Sequence, residues 1–94
     1  MIILILTYQK PISEVDKYLE VHRNYLDECY AKGRYILSGP QNPRTGGVIF
    51  VKGTREEASE WLKEDPFYQH EIAKYDIIEF NPNKFAPNVE KILL

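Results

Sequence analysis

The chain is poor in cysteine and histidine, with one Cys and two His among 94 residues. A single cysteine excludes an intramolecular disulfide, and the positions of Cys29, His22 and His70 match no zinc-ligand spacing, so we expect no metal. Basic residues form no run and the net charge is -2. The electrostatic footprint of a nucleic-acid-binding protein is therefore missing. A small-molecule or protein partner is the expected kind of partner.

Long apolar runs are also missing. The run MIILIL at the N-terminus covers six residues, far fewer than a membrane span needs, and neither a basic region nor a small-residue cleavage site accompanies it. We therefore expect a cytoplasmic protein without a membrane partner. An apolar run of this length is typical of a strand that is buried on both faces.

Two helices and four strands are predicted in the order βαββαβ. The strands are IILILTY, RYILSGP, GGVIFVKG and YDIIEF. The first helix begins at Ser13 as N-cap, with Asp16 in a weakened capping box, and runs to Gly33; the capping box of Thr54 and Glu57 opens the second. This order predicts an α+β, ferredoxin-like fold, an antiparallel sheet with both helices on one face.

The central strands of that fold, IILIL and VIFV, carry apolar residues on both sides. A sheet with helices on one face should alternate apolar and polar residues, because its other face meets water. A second copy of the same sheet is the simplest partner for the open face, and a domain of this size often gains stability from oligomerisation. We therefore expect a homodimer of a domain spanning residues 1–81, with the tail 82–94 as an addition to the interface. The apolar residues of that tail are Val89, Ile92, Leu93 and Leu94.

His22 lies on the buried stripe of the first helix, seven residues after Val15 and seven before Cys29. A buried histidine is often a core residue whose ring is satisfied by a backbone carbonyl, and that interpretation stays open here. A functional role needs a partner for the ring.

Asp65 is the candidate partner, since it lies four residues beyond Trp61 and would face the sheet if the helical register continued. Pro66 disfavours helical geometry at Asp65, so the acid also fits the N-cap of a new short helix. The two roles are compatible. Because both helices cover one face of the sheet, a hydrogen-bonded pair of His22 and Asp65 would satisfy two buried polar groups and fix the imidazole tautomer.

Other candidates would line a pocket beside that pair. Ser38, Gly39 and Pro40 form either a simple strand terminator or one wall of a binding site. Arg23 is either a solvated helix charge or a group that reaches an anionic part of a substrate. Phe67 is more typical of a packing residue than of a surface on which a substrate stacks, and it is also a candidate for the pocket wall.

The segments VHRNYL, YILSGP, GGVIFVKG, EEASEWLKEDPF and YDIIEF, in this order, resemble the YciI-like (YCII-related domain) family, whose dimeric α+β barrel is similar to that of muconolactone isomerase. The resemblance covers about residues 1 to 81. It implies an active site built on a His and Asp pair, here His22 and Asp65, and cofactor-independent chemistry on small organic molecules. The chain departs from the family in having Tyr25 where Phe often follows the histidine.

The resulting hypothesis is a lyase or isomerase type of enzyme in which His22 acts as general base and acid and Asp65 orients the ring. Ser38 or amide groups near Gly39 would stabilise a developing oxyanion. The alternative is a small-molecule-binding or protein-interaction module without catalysis. No cofactor motif is present, so no cofactor is expected. The same absence disfavours a third interpretation, an oxygenase of similar barrel shape that acts on a bound flavin, haem or quinol.

Overall fold

The computed structural model describes residues 1–93, which contain four strands and five helices. Leu94, which the sequence places in the apolar tail, lies outside the described residues. The strands are β1 Ile2–Tyr8, β2 Tyr35–Pro40, β3 Gly46–Val51 and β4 Ala73–Glu79. The helices are α1 Ile12–Lys17, α2 Leu19–Ala31, α3 Arg55–Leu62, α4 Pro66–Gln69 and α5 Glu90–Leu93.

The strands form one antiparallel sheet in the order β2-β3-β1-β4. The central positions belong to β1 and β3, the two strands that are apolar on both sides. The predicted ferredoxin-like arrangement is therefore confirmed. The longest helix within residues 1–93 has 13 residues, and none in that part of the chain is both long and apolar enough to traverse a bilayer.

The predicted start of the first helix is wrong. The helix α1 begins at Ile12, Pro11 occupies the N-cap position, and no side chain caps the end. Ser13 therefore lies inside the first turn. Asp16 closes no capping box, because its carboxylate accepts a hydrogen bond from Arg44 at 2.7 Å. Proline at the N-cap supplies a fixed φ and has no amide to satisfy, so the chain turns without a capping side chain.

The predicted single helix is also divided at Tyr18, whose φ of -109° and ψ of 3° separate α1 from α2. The end of α2 agrees with the prediction: Gly33 follows the C-cap Lys32 and has a φ of 72°. A left-handed residue after the C-cap is best supplied by glycine.

The segment from α3 to α4 confirms two predictions. The capping box of α3 is complete, since Glu57 N donates to Thr54 Oγ1 at 3.1 Å and Thr54 N donates to Glu57 Oε1 at 3.0 Å. After α3 the chain becomes extended at Asp65, which caps α4 with Pro66 at its start. The following proline disfavours helical geometry at Asp65, and the chain begins a new helix there.

The second strand ends at Pro40, the last residue of the predicted segment RYILSGP. Its pairing with β3 continues through Gly39 to Pro40, which lies opposite Gly47. Because β2 is an edge strand, the missing amide of Pro40 can face away from the ladder and costs no sheet hydrogen bond.

The helix-covered face of the sheet forms the core. Ile2, Leu4 and Leu6 of β1 are at most 2% exposed and pack in one cluster with buried residues of the helices. Alternate residues point to opposite faces of a strand, so Ile3 and Ile5 face the other way. Both are only partly buried in the single chain.

The uncovered face carries an apolar row across all four strands. The strand pairing places Ile3 beside Phe50 and Ile78, and Phe50 beside Leu37. Leu37 is 52% exposed and Ile78 48% exposed. A row of this kind on a sheet face is typical of an interaction surface rather than of a solvated face.

The close contact of β3 with β1 depends on Gly46. A Cβ at this position would lie 1.7 Å from the Leu6 carbonyl oxygen, which belongs to a central strand and cannot move away cheaply. We expect Gly46→Ala to destabilise the fold by about 1–3 kcal/mol, the usual cost of forcing atoms into a packed region. Urea unfolding measures this loss. Gly39→Ala is the matched control, because no atom lies within 4 Å of its added Cβ; equal losses in both variants would contradict the prediction.

Candidate functional site

The structure brings together the two residues that the sequence selects on separate helical segments. His22 of α2 has its Nδ1 2.8 Å from Oδ1 of Asp65, the residue that caps α4. His22 is 8% exposed and Asp65 is fully buried. The contact that the spacing predicts is therefore present, while the catalytic role of the pair stays a prediction.

Asp65 has three hydrogen-bond donors around its carboxylate. Its Oδ1 accepts from His22 Nδ1 and from the backbone amide of Phe67, the latter at 2.9 Å. Its Oδ2 accepts from the hydroxyl of Tyr75 at 2.6 Å. Because a buried charge is tolerated only when it is paired and hydrogen-bonded, these donors explain how an ionised acid can stay in the core. Asp65 is thus at once an N-cap and the partner of His22.

The carboxylate also determines where the ring protons of His22 lie. An ionised carboxylate only accepts, so Nδ1 carries a hydrogen and the neutral ring leaves a lone pair on Nε2. Within residues 1–93, every buried side-chain nitrogen or oxygen has a hydrogen-bond partner. No described residue bonds Nε2, and this atom is therefore accessible. His22 lines a cavity of about 770 Å³, into which a substrate atom could approach it.

The cavity lies between α2, the ends of β1 and β2, and the start of β3. All but one of the predicted site residues line it; the exception is Asp65, which is buried behind the histidine. Its wall includes the predicted residues His22, Arg23, Ser38, Gly39, Pro40 and Phe67.

Phe67 and Ser38 have contacts that the sequence does not reveal. The ring of Phe67 stacks on the imidazole of His22, with ring centroids 3.9 Å apart and an interplanar angle of 3°. Phe67 is only 2% exposed, so it holds the ring in place more than it offers a surface. The hydroxyl of Ser38 is hydrogen-bonded to that of Tyr30.

Two arginines and one acid, Asp27, line the cavity, so the formal charge of its wall is positive. Arg23 is exposed, and no ion pair involves it within residues 1–93. Arg44 binds Asp16 and lies over the ring of Tyr8, 6.0 Å from the centroid. The sequence does not predict the position of Arg44, because its loop carries no periodic pattern. In the described part of the chain, no three His, Cys, Asp or Glu side chains gather as a metal site.

Three tyrosines with hydrogen-bonded hydroxyls, Tyr25, Tyr35 and Tyr75, lie in or against the core. Tyr25 donates to the carbonyl of Trp61 at 2.7 Å and is 2.5 Å from the hydroxyl of Tyr35, which must therefore be the donor between them. Burial raises the pKa of Tyr25 and of Tyr35. Burial, followed by the negative charge of Asp65, raises the pKa of Tyr75. All three hydroxyls consequently remain protonated donors near neutral pH.

These tyrosines predict a loss of stability in alkali. An unfolded tyrosine loses its proton near pH ~10, whereas Tyr25, Tyr35 and Tyr75 keep theirs when folded, so the folded chain binds more protons above that pH. The three tyrosines contribute fully to the free energy of unfolding below pH ~10. Above that pH, the free energy of unfolding falls by about 1.4 kcal/mol per pH unit for each tyrosine. Urea unfolding across this range measures the slope. A shallower slope in Tyr35→Phe is expected; an unchanged slope would contradict the assignment.

Comparisons with known proteins agree with this architecture. Residues 1–81 match the sequence profile of the YCII-related domain. A solved structure of similar fold is a 5-chloro-2-hydroxyhydroquinone dehydrochlorinase from Burkholderia phenoliruptrix in complex with 2,5-dihydroxybenzoquinone. Its TM-score is 0.67 and its sequence identity 18%, over 88% of this chain and 96% of the other. No curated protein matches the chain.

The likeness in structure shows the fold, and the profile match covers most of the sequence, including both His22 and Asp65. The chain therefore belongs to the YCII-related domain family.

Proposed function

We propose that this protein is an enzyme that moves protons on a small carbonyl, lactone or phenol-like compound, with His22 as general base and acid. The observation that carries the proposal is the contact of 2.8 Å between His22 Nδ1 and the buried carboxylate of Asp65, beside a cavity of about 770 Å³. A base of this kind must have its lone pair open to the substrate and its other nitrogen fixed. His22 meets both requirements.

The reaction would begin with transfer of a substrate proton to His22 Nε2, from a hydroxyl or from a carbon beside a carbonyl. The electron pair released forms a new double bond. In an elimination, a leaving group departs with its bonding electrons and the proton on Nε2 passes to water; in an isomerisation, the same proton returns to another atom of the substrate. Asp65 stabilises the imidazolium between these steps, because its charge lies against Nδ1.

The cavity wall suits a substrate that becomes anionic. Arg23 places an exposed cation at the cavity, where it would bind an anionic group of the substrate, and Ser38 with the backbone near Gly39 would bind a developing oxyanion. The similar fold of a dehydrochlorinase that binds a dihydroxyquinone supports a substrate of this class. Proton transfer of this kind needs only side chains of the chain itself.

A substrate screen tests the proposal. Chlorinated hydroxyhydroquinones, hydroxyquinones and unsaturated lactones are incubated with the protein and followed by absorbance and by chloride release. Turnover of at least one class that disappears on substitution of His22 is the expected result. Ligands that bind in the cavity without being converted would instead favour the binding-module alternative.

We also propose that a second copy of the chain covers the apolar row of Leu37, Phe50, Ile3 and Ile78. Four neighbouring apolar side chains on one sheet face are a poor surface for water and a self-complementary patch for a two-fold interface. The tail is the proposed addition to this interface, since Phe85, Val89 and Ile92 are 38%, 37% and 60% exposed.

A charge in the middle of the row tests this dimer. We expect Ile3→Asp to convert a species of twice the 11.0 kDa chain mass into a monomer, because an unpaired carboxylate would be buried at the interface. Light scattering coupled to gel filtration measures the mass. Thr7→Asp is the matched control, an exposed position on the same face of β1 opposite Lys74. A monomeric wild type would contradict the proposal.

A further inference from the structure

Tyr75 does not line the cavity that a substrate of the proposed reaction would enter. Tyr75 lies on β4 and lines a second cavity, with Tyr68, Lys63 and Lys74 among its wall residues. The first cavity, which contains His22, does not include it. Yet its oxygen is 2.6 Å from Oδ2 of Asp65. Hydrogen bonds thus link His22, which lines the first cavity, through Asp65 to Tyr75, which lines the second.

We propose that Tyr75 is a positioning residue, which holds the carboxylate of Asp65 in the orientation that keeps the His22 ring in its Nδ1–H form. The inference rests on the proposed function, because it concerns how the base of that reaction is held. Tyr75 acts on the substrate only through Asp65 and His22.

The distribution of donors around Asp65 carries this assignment. Oδ1 already accepts two bonds, from His22 and from the amide of Phe67, whereas Oδ2 has the Tyr75 hydroxyl as its donor among the described residues. The carboxylate is fully buried. Without the hydroxyl, a charged oxygen would face the core unpaired, and the carboxylate could lower that cost by rotating about its Cβ–Cγ bond. Rotation takes Oδ1 out of line with the ring of His22.

A fixed carboxylate matters because the neutral ring has two tautomers. The acceptor at Nδ1 selects the tautomer whose lone pair is on Nε2, the atom open to the cavity. The other tautomer would present a hydrogen there and could not accept a substrate proton. Tyr75 remains a donor throughout the neutral range, since burial and the charge of Asp65 both raise its pKa.

The test compares Tyr75→Phe with Tyr68→Phe. Each substitution removes one hydroxyl from a tyrosine that lines the second cavity, and the two rings are neighbours, with centroids 5.9 Å apart. The ring nitrogens of His22 are observed by ¹⁵N NMR at neutral pH, which requires no substrate. We expect the wild type and Tyr68→Phe to show the Nδ1–H tautomer, and Tyr75→Phe to show a mixture with the Nε2–H tautomer.

With a substrate from the screen, kcat of Tyr75→Phe should fall roughly tenfold, the lower end of the loss seen when the outer hydrogen-bond partner of a metal-binding histidine is removed, while KM stays unchanged. An unchanged tautomer would overturn the inference, as would equal changes in both variants. If the tautomer changes as expected but no variant or wild type converts any compound, the proposed function fails while the positioning role stands. Melting curves of both variants show whether the fold survives.

Discussion

Replacing His22 by Asn is expected to lower turnover by about 10² to 10⁴, the contribution typical of a positioned general acid or base. The amide of Asn can donate to Asp65 from near the place of Nδ1, so the buried carboxylate keeps that partner and the fold should survive. The Asn amide, however, has no lone pair as basic as that of the imidazole with which to accept a substrate proton. The loss should therefore appear in kcat, measured on a compound from the screen, with a melting temperature close to that of the wild type.

His70→Asn is the matched control for this prediction. It replaces the other histidine of the chain, which is exposed and stacks on Tyr18 with ring centroids 4.3 Å apart. We expect its activity to remain within about twofold of the wild type, since surface substitutions away from a site seldom have larger effects. If His22→Asn also retained nearly full turnover, the general-base assignment would be wrong.

Asp65→Ala is expected to reduce the free energy of unfolding by about 3–5 kcal/mol, the usual cost of removing one partner from a buried pair. The substitution leaves three donors without an acceptor, from His22, Phe67 and Tyr75, and it removes the N-cap of α4. Domains of this kind are stable by only about 5–15 kcal/mol, so the loss would be a large share of the total. Urea unfolding monitored by circular dichroism measures it.

Asp65→Asn separates stability from chemistry at the same position. Its amide oxygen can still cap α4 and accept from the ring of His22, so we expect a smaller loss of stability than in the alanine variant. The negative charge beside the imidazole is gone, however, and turnover should fall as a charged intermediate loses its support. A loss of stability below about 1 kcal/mol in Asp65→Ala would mean that the carboxylate is not the buried, triply bonded group described above.

The fold could be predicted largely because its signals are local. The apolar runs that form β1 and β3 identify the central strands, Thr54 with Glu57 marks the start of α3, and an acid before Pro66 marks the start of α4. The break at Tyr18 has no such signal, since its residue types continue a helical pattern. Helix propensity alone is too weak a signal to locate a break of this kind.

The site was predictable in part for the same reason. His22 is recognisable because a titratable residue interrupts an apolar stripe, and Asp65 because it ends one. Tyr75 alternates with Ala73 and Ile77 on the helix-facing side of β4, so its direction could have been read, but a tyrosine on such a face usually serves packing. Only the folded chain shows that its hydroxyl reaches Asp65. Arg44 reaches the cavity from an irregular loop, and no spacing rule governs that position.

Because Asp65 both caps α4 and faces the imidazole, few substitutions at position 65 would leave both stability and chemistry unchanged during divergence. Asn, Ser or Thr would preserve the cap of the helix and remove the charge, whereas Ala or Gly would weaken the helix as well. A relative that had abandoned the chemistry but kept its fold should therefore carry one of those three uncharged capping residues. The identity of this one position would then separate descendants that retain a charged pair from those that keep only the scaffold.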